Sequence, residues 1–405
     1  MKVTVRPVES RDLPGIDKMR MILYAHIPES REVEWHRSIW RWLGSHPAAD
    51  EMHRWVLVTE EGEVVGHLAA TPQYYRINGQ RVLAHTPADY QVLPQYGFHA
   101  LLLMRKFFRT LQNCVACDML PAVIGVETRM GAEVAGDLHY AAKLLNVSRL
   151  PVPPLPAPVR RLLSLKEPAA PAHGYENPSE DEPSDDQEQI EIPPLRPRAR
   201  LPKPIQGLLN GGLRLVDEAL GGVIGRGLNV EVLEGFDESF DELFEEVAAV
   251  VPCLPEKDSA FLRWRYGPGS PQTPVTILGV RDGESLIGYA ILGATVETPE
   301  GFRDGYILDL VTLPGRRDVA RALLRETIPH FRRVGVPIVR YRFLKSSTSS
   351  QSRDLWPLGF FYRNKRRNTL LTKFADRGLH KTANDTANWS YSIGDGEATF
   401  WLKLS

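Results

Sequence analysis

The 405-residue chain is too long for one ordinary core and suggests two or three domains of roughly 100–200 residues each. Its 43% apolar and 24% charged content fits a soluble globular protein, and a formal net charge of −1 gives no basic bulk for nucleic acid. No apolar run is long enough to span a bilayer, and "MKVTVRPVESRDLPG" turns polar too early for a signal peptide, so a cytoplasmic protein is expected.

In chain order, a short alternating strand around Val3 and Val5 comes first. Asp12 and Pro14 then open a helix carrying Leu13, Ile16, Met19 and Ile22 at helical spacing. Trp35, Trp40 and Trp42 fall on a second helical stretch and are expected to pack its face. "WVLVTEEGEVVGHLAATP" reads as strand, Glu-Gly turn, strand. A turn at Asn78-Gly79 leads through "RVLAHTPADYQVLP" to a corner at Leu93-Pro94. Beyond it, "HALLLMRKFFRTLQNCV" reads as a helix, "PAVIGVE" as a short buried strand, and Ala132 to Leu145 as a helix.

Cys114, Cys117 and Cys253 are the only cysteines, too few and odd in number for a disulfide framework. "CVAC" has no second Cys or His pair at zinc spacing, so it reads as two small helix residues and no metal is expected.

Residues 151–204 are rich in proline and charge and poor in aromatics, the composition of a linker with an acidic middle. An acidic docking tail is the other use of such a run.

The second block repeats the first. "VTILGVRDGESLIGYAILGAT" is strand, Asp-Gly turn, strand, and "YILDLVTLP" ends in a second corner at Leu313-Pro314. A helix over 318–334, the strand "VPIVRYRF", a short helix from Ser350 to Leu358 and two strands in "GFFYRNKRRNTLLTKF" follow. "FLRWRYG" alternates Arg263 and Arg265 with aromatics. Trp264 is expected to pack between helix and sheet, with the arginines pairing acids such as Asp241, rather than to form a nucleic-acid strip. The tail "NWSYSIGDGEATFWLKLS" reads as a last hairpin, with Trp389 and Trp401 covering an open face.

This is a repeat at domain scale. It predicts a mixed α/β protein of two domains, 1–150 and 205–405, joined by the 151–204 linker. In each, a mixed, mostly antiparallel sheet is flanked by helices. A strand feeding a helix through a tight turn aims unpaired backbone N–H groups and the helix dipole at one point, which suits a phosphate.

That element order, with Val92, Pro94 and Tyr96 in "VLPQYGFHA" and Gly359-Phe360 in "LWPLGFF", resembles the GNAT superfamily of acyl-CoA N-acyltransferases. The whole chain is similar to bacterial tandem GNAT-like proteins, through "GFDESFDELF" and "FLRWRYG" ahead of the second hairpin. The resemblance implies transfer of an acyl group, typically acetyl, from acyl-CoA (acetyl-CoA) to an amine of a small or cell-envelope-related acceptor. It also implies a phosphate-binding turn over Val92, Leu93, Gln95, Tyr96, Gly97, Phe98, His99 and Ala100. Neither copy of the turn motif is intact. In the second, Gly315 falls at the Arg position and Asp318 at a Gly position, where a carboxylate would repel an anion.

Transfer needs a base for the amine and an acid for the thiolate. Asp89, Glu127 and His85 are the candidate bases of the first block, with Asp89 and Glu127 expected on adjacent strands flanking the corner. Asp309 occupies the spacing of Asp89 in the second. The acid of the family is a Tyr four residues before Gly-Phe. Leu355 stands there, and Tyr140 lies near but off register in the first block. The alternative is a non-catalytic binding or scaffold protein made of two degenerate GNAT-like domains. It would fill the first corner's cleft with side chains such as Phe98.

Overall fold

The computed structural model describes residues 2–25, 31–148, 201–221, 227–297, 303–345, 352–363, 368–396 and 404. Residues 151–200 of the expected 151–204 linker and Trp401 lie outside them, and Lys203 and Pro204 at the linker's end already belong to a helix.

The first half runs β1 (Val3–Pro7), α1 (Leu13–Leu23), α2 (Val33–Gly44), β2 (His53–Thr59), β3 (Val64–Ile77), β4 (Gln80–Val92), α3 (Ala100–Thr110), β5 (Cys114–Asp118), α4 (Pro121–Arg129), β6 (Glu133–Asp137) and β7 (His139–Leu144). The second runs α5 (Lys203–Gly221), β8 (Glu231–Leu233), α6 (Ser239–Ala248), β9 (Cys253–Pro255), α7 (Ser259–Tyr266), β10 (Thr276–Asp282), β11 (Ser285–Ala294), β12 (Asp304–Thr312), α8 (Arg317–Arg333), β13 (Ile338–Phe343), α9 (Ser352–Leu355), β14 (Phe361–Tyr362), β15 (Thr369–Lys373) and α10 (Arg377–Ala383).

These strands form two mixed sheets. One has the order β1-β2-β3-β4-β5-β15-β6, with β9 added along β3; the other is β14-β7-β13-β12-β11-β10-β8. Each sheet therefore contains a strand of the other half. β15 lies between β5 and β6, and β7 between β13 and β14. Leu371 opposes Ala116 on one side and Val134 on the other, while Tyr140 opposes Arg342. Both inserted strands are largely buried, so neither sheet closes without the other half's chain.

The exchange explains several departures from the sequence expectations. Ala132 to Leu145 is not a helix but β6 and β7, because Ala141 and Ala142 are fully buried in a sheet whose other members lie far along the chain. There, tertiary pairing overrides alanine's helix propensity. "PAVIGVE" is not a strand but the start of α4, with Pro121 at a first-turn position where its missing N–H costs nothing. "CVAC" lies on β5, not on a helix, and all three cysteines are buried and free.

"FLRWRYG" is helix α7, capped by the Asp258 side chain on the Phe261 amide. Trp264 stacks on Trp42 at 4.6 Å, and each indole N–H donates to the other residue's carbonyl, tying α2 to α7. Asp241 does not pair the arginines. It accepts from the Ser259 amide and hydroxyl, while Arg263 donates to Phe236 O and Arg265 to Gly396 O. Of the expected tail hairpin, Ile393–Asp395 form a 3-10 turn and Trp389 is wholly buried against Tyr75, while residues 397–403 of its second arm lie outside the described residues. Among the described residues, no helix is long and apolar enough to cross a membrane.

Candidate functional site

The two corners are built alike. In each, the Leu of Leu-Pro donates its amide to the hairpin strand: Leu93 to Val65 O at 2.9 Å, Leu313 to Ile287 O at 3.1 Å. In each, a glycine one residue beyond that acceptor sits where a Cβ would press on the corner. Gly66 faces Val92 at 3.0 Å, and Gly288 faces Val319 at 2.7 Å and Thr312 at 3.0 Å. In each, the fourth strand carries a bulge just before the corner, at Asp89-Tyr90 in β4 and at Leu308 in β12.

Both fourth strands then part from their parallel neighbour. β4 follows β3 as far as Val92 but meets β5 only at His85–Cys114. β12 follows β11 as far as Thr312 but leaves β13 after Ile307. A V-shaped opening results, with the corner at its wide end.

The first opening keeps its corner clear. Pro94–His99 form a 3-10 turn leading into α3. Leu93 and Tyr96 point into the core and anchor the turn, whereas Gln95 and Gly97 are exposed. Phe98 is 87% exposed and does not fill the opening. Val92, His99 and Ala100 are half-buried at its ends.

The second opening is occupied by the chain itself. Residues 391–394 run between β12 and β13: Ser392 bridges Phe343, and Leu344 donates to Tyr391 O at 2.8 Å. Gly394 lies so close to β12 that a Cβ would stand 2.6 Å from Leu308 O. Asp309 and Asp395 converge on the buried ammonium of Lys257, at 2.8 and 2.9 Å, and Ser392 Oγ donates to Asp309 at 2.8 Å. Burial and the Asp309 charge push Asp395 up to about 6, against the pull of Lys257. At the start of α8, Arg316 neutralises Asp318 at 2.9 Å.

The candidate bases separate. Asp89 is buried at positive φ (50°) on the bulge, facing α1. Arg20 grips its carboxylate through Nε at 3.1 Å and through Nη2, and His67 Nδ1 lies 2.9 Å away. Burial alone would raise the Asp89 pKa, but Arg20 and His67 hold it down at about 2, which makes it a weak base. Glu127 is buried on helix α4, not on a strand, beside Tyr90 and Cys114; burial and its charge push Tyr90 up to about 12. His85 bonds Glu51 O at 2.9 Å, and burial lowers its pKa. Tyr140 lies on β7 in the second sheet, its hydroxyl bonded by Arg340 and its ring under Arg342. It is not brought to the first corner.

Sequence reading missed Arg20, His67, Lys257 and Asp395, which surround the two strand carboxylates. A lysine in "PEKDSA" or an arginine inside a helix carries no local mark of the acid it will meet. Among the described residues, no group of three or more His, Cys, Asp or Glu side chains is placed to hold a metal ion.

No protein-family model matches the sequence, and no curated protein matches it. Solved structures do. A GCN5-related N-acetyltransferase from Anabaena variabilis is 13% identical, with 94% of this chain and 75% of that one covered and a TM-score of 0.54. Another from Kribbella flavida is 13% identical over 94% and 73%, TM-score 0.53. Saccharomyces cerevisiae N-myristoyltransferase with bound myristoyl-CoA is 10% identical over 92% and 79%, TM-score 0.51. The expected fold is borne out: the chain has a GNAT-like fold of two mixed sheets flanked by helices, each with a bulged fourth strand that parts from its parallel neighbour.

Proposed function

We propose that the chain is an acyl-CoA-dependent N-acyltransferase, taking an acetyl group from acetyl-CoA, and that only its first corner binds the cofactor. The observation that carries this reading is the contrast between the openings. The first is clear at the turn, with Phe98 turned to solvent, whereas the second is filled by residues 391–394. The fold's neighbours are N-acyltransferases, which supports acyl transfer as the reaction class.

The Leu93–Ala100 turn would take the pyrophosphate on backbone N–H groups at the start of α3. The free edge of β4 would take the amide-rich arm of the cofactor. In the reaction, the amine nitrogen bonds to the thioester carbonyl carbon and the C–S bond breaks. The thiolate leaves with one of the two protons that the ammonium loses, and the other goes to a base and then to solvent.

The test is calorimetric titration of the full chain with acetyl-CoA. One mole should bind per mole of chain. Gly97→Asp should abolish binding, since Gly97 has open space around it and the added carboxylate would meet the phosphates. Gly315 sits at φ +81°, so substitution there would strain the backbone. The fair control at the second corner is the half-buried pair partner Arg316→Glu, which should leave affinity unchanged. Absence of binding at millimolar ligand would leave the non-catalytic scaffold reading, which the locking of Asp89 by Arg20 favours.

A further inference from the structure

A polar chamber lies under α1 and α2, on the sheet face opposite α3, a few residues before the first corner. Its floor is small: Ala69 of β3 pairs with Ala88 of β4. Paired residues on antiparallel strands share a face, as do residues two apart. Arg54 of β2 pairs with Ala69, so it stands over this floor. His67 and Thr71 flank Ala69 along β3, and Gln91 of β4 pairs with His67. Trp40 of α2 roofs the group. Its ring lies 4.2 Å from the Arg20 guanidinium, 5.0 Å from that of Arg54 and 6.0 Å from the His67 ring, and Asp17 holds its N–H at 3.1 Å.

The chamber is deeply buried yet incompletely satisfied. His67 is wholly buried, and its Nε2 has no hydrogen-bond partner among the described residues. Neither has Gln91 Oε1 nor Thr71 Oγ1, in residues more than nine-tenths buried. A buried polar atom left without a partner is costly, so a group of them calls for an occupant.

The donors and acceptors are sorted. Gln91 spends its NH2 on Asp89 Oδ1 at 2.5 Å and on the Tyr24 hydroxyl, leaving its carbonyl oxygen open. His67 turns Nδ1 toward the Asp89 carboxylate, 2.9 Å away though too oblique for a straight hydrogen bond, so the proton belongs on Nδ1 and Nε2 is an acceptor. Burial keeps the ring below its ordinary pKa and therefore neutral near pH 7. Two open acceptors thus sit side by side across β3 and β4. Two residues away, roughly 7 Å along the strand, stands Arg54, which makes no ion pair with an acid among the described residues. The charges that reach it are Arg20 and Asp89, which are paired with each other, so Arg54 is left without a carboxylate of its own.

We propose that this chamber seats the acceptor of the transfer reaction and that the acceptor is an amino acid, its amino group against His67 Nε2 and Gln91 Oε1 and its carboxylate against Arg54. One carboxylate would pair with Arg54, and one amino group satisfies the open acceptors. The assignment of an acceptor role rests on the N-acyltransferase reading, but the site itself does not. Asp89 then serves as a positioning group that fixes the His67 tautomer.

The experiment is thermal melting of the full chain with each of the common amino acids at millimolar concentration, and with the matching amino-acid amides, which keep the amine and lose the carboxylate. At least one free amino acid should raise the melting temperature while its amide does not. Arg54→Met, which keeps the packing on Trp40, should lose that shift, and Arg54→Lys, which keeps the charge, should restore part of it. Equal stabilisation by acid and amide, an undiminished shift in Arg54→Met, or no shift with any amino acid overturns the proposal. Acetyl-CoA calorimetry on the same wild-type sample separates the two readings. Amino-acid binding without acetyl-CoA binding would keep the site and remove the acyl transfer; the converse would keep the transfer and remove the site.

Discussion

Asp89 and Asp309 stand four residues before Leu93-Pro94 and Leu313-Pro314, each buried and each held by a cation. Their surroundings differ in one respect. Arg20 reaches Asp89 from α1, and the turn beyond the opening between β4 and β5 stays clear, with Phe98 in solvent. Lys257 reaches Asp309 together with Asp395, and Asp395 brings the chain's own late segment into the opening between β12 and β13. One scaffold, built twice, keeps a cleft in one copy and closes it in the other by adding a second carboxylate to the same ion cluster.

The largest expected effect comes from breaking that closure. Lys257→Met would leave two buried carboxylates facing each other without a cation, a change of about 3–5 kcal/mol in urea denaturation. Arg20→Met should cost less, about 3 kcal/mol, because Asp89 keeps His67 and Gln91 as partners. Equal losses would mean that the two clusters are not as different as their geometry.

Stability against pH should distinguish the halves by sign. Asp89 is held at about 2, below its unfolded value near 3.8. It therefore contributes about 2 kcal/mol at neutral pH, lost as pH falls from about 4 to 2. Asp395 is raised to about 6, so the folded state favours its protonated form, and its contribution is lost as pH rises from about 4 to 6. Asp89→Asn should flatten the acid limb of the denaturation midpoint against pH. Asp395→Asn should flatten the limb between about 4 and 6. The reverse assignment would contradict the comparison.

The smallest effect is expected at the open turn. Phe98→Ser should change stability by less than about 0.5 kcal/mol, since the side chain is in solvent. A larger loss in denaturant melts would mean that Phe98 packs in the cleft.

The repeated corners were legible because each is local: an alternating hairpin, Leu-Pro, then helical spacing. The strand exchange was not, because Tyr140 finds Arg340 some 200 residues away and nothing near β7 marks that partner. For the same reason the carboxylates could be picked out but their roles could not. Asp89 reads as a candidate base until Arg20, 69 residues earlier, is seen to grip it. His67 and Arg54 sit in an ordinary hairpin and acquire meaning only when α1 and α2 fold over that face of the sheet.

The most direct test of the central claim is hydrogen exchange on the full chain with and without acetyl-CoA. The expected result is slowed exchange in peptides spanning Leu93 to Leu102 and none in those spanning Leu313 to Leu323. Slowed exchange at the second corner, or at neither, would contradict the assignment of the open first corner as the one that binds.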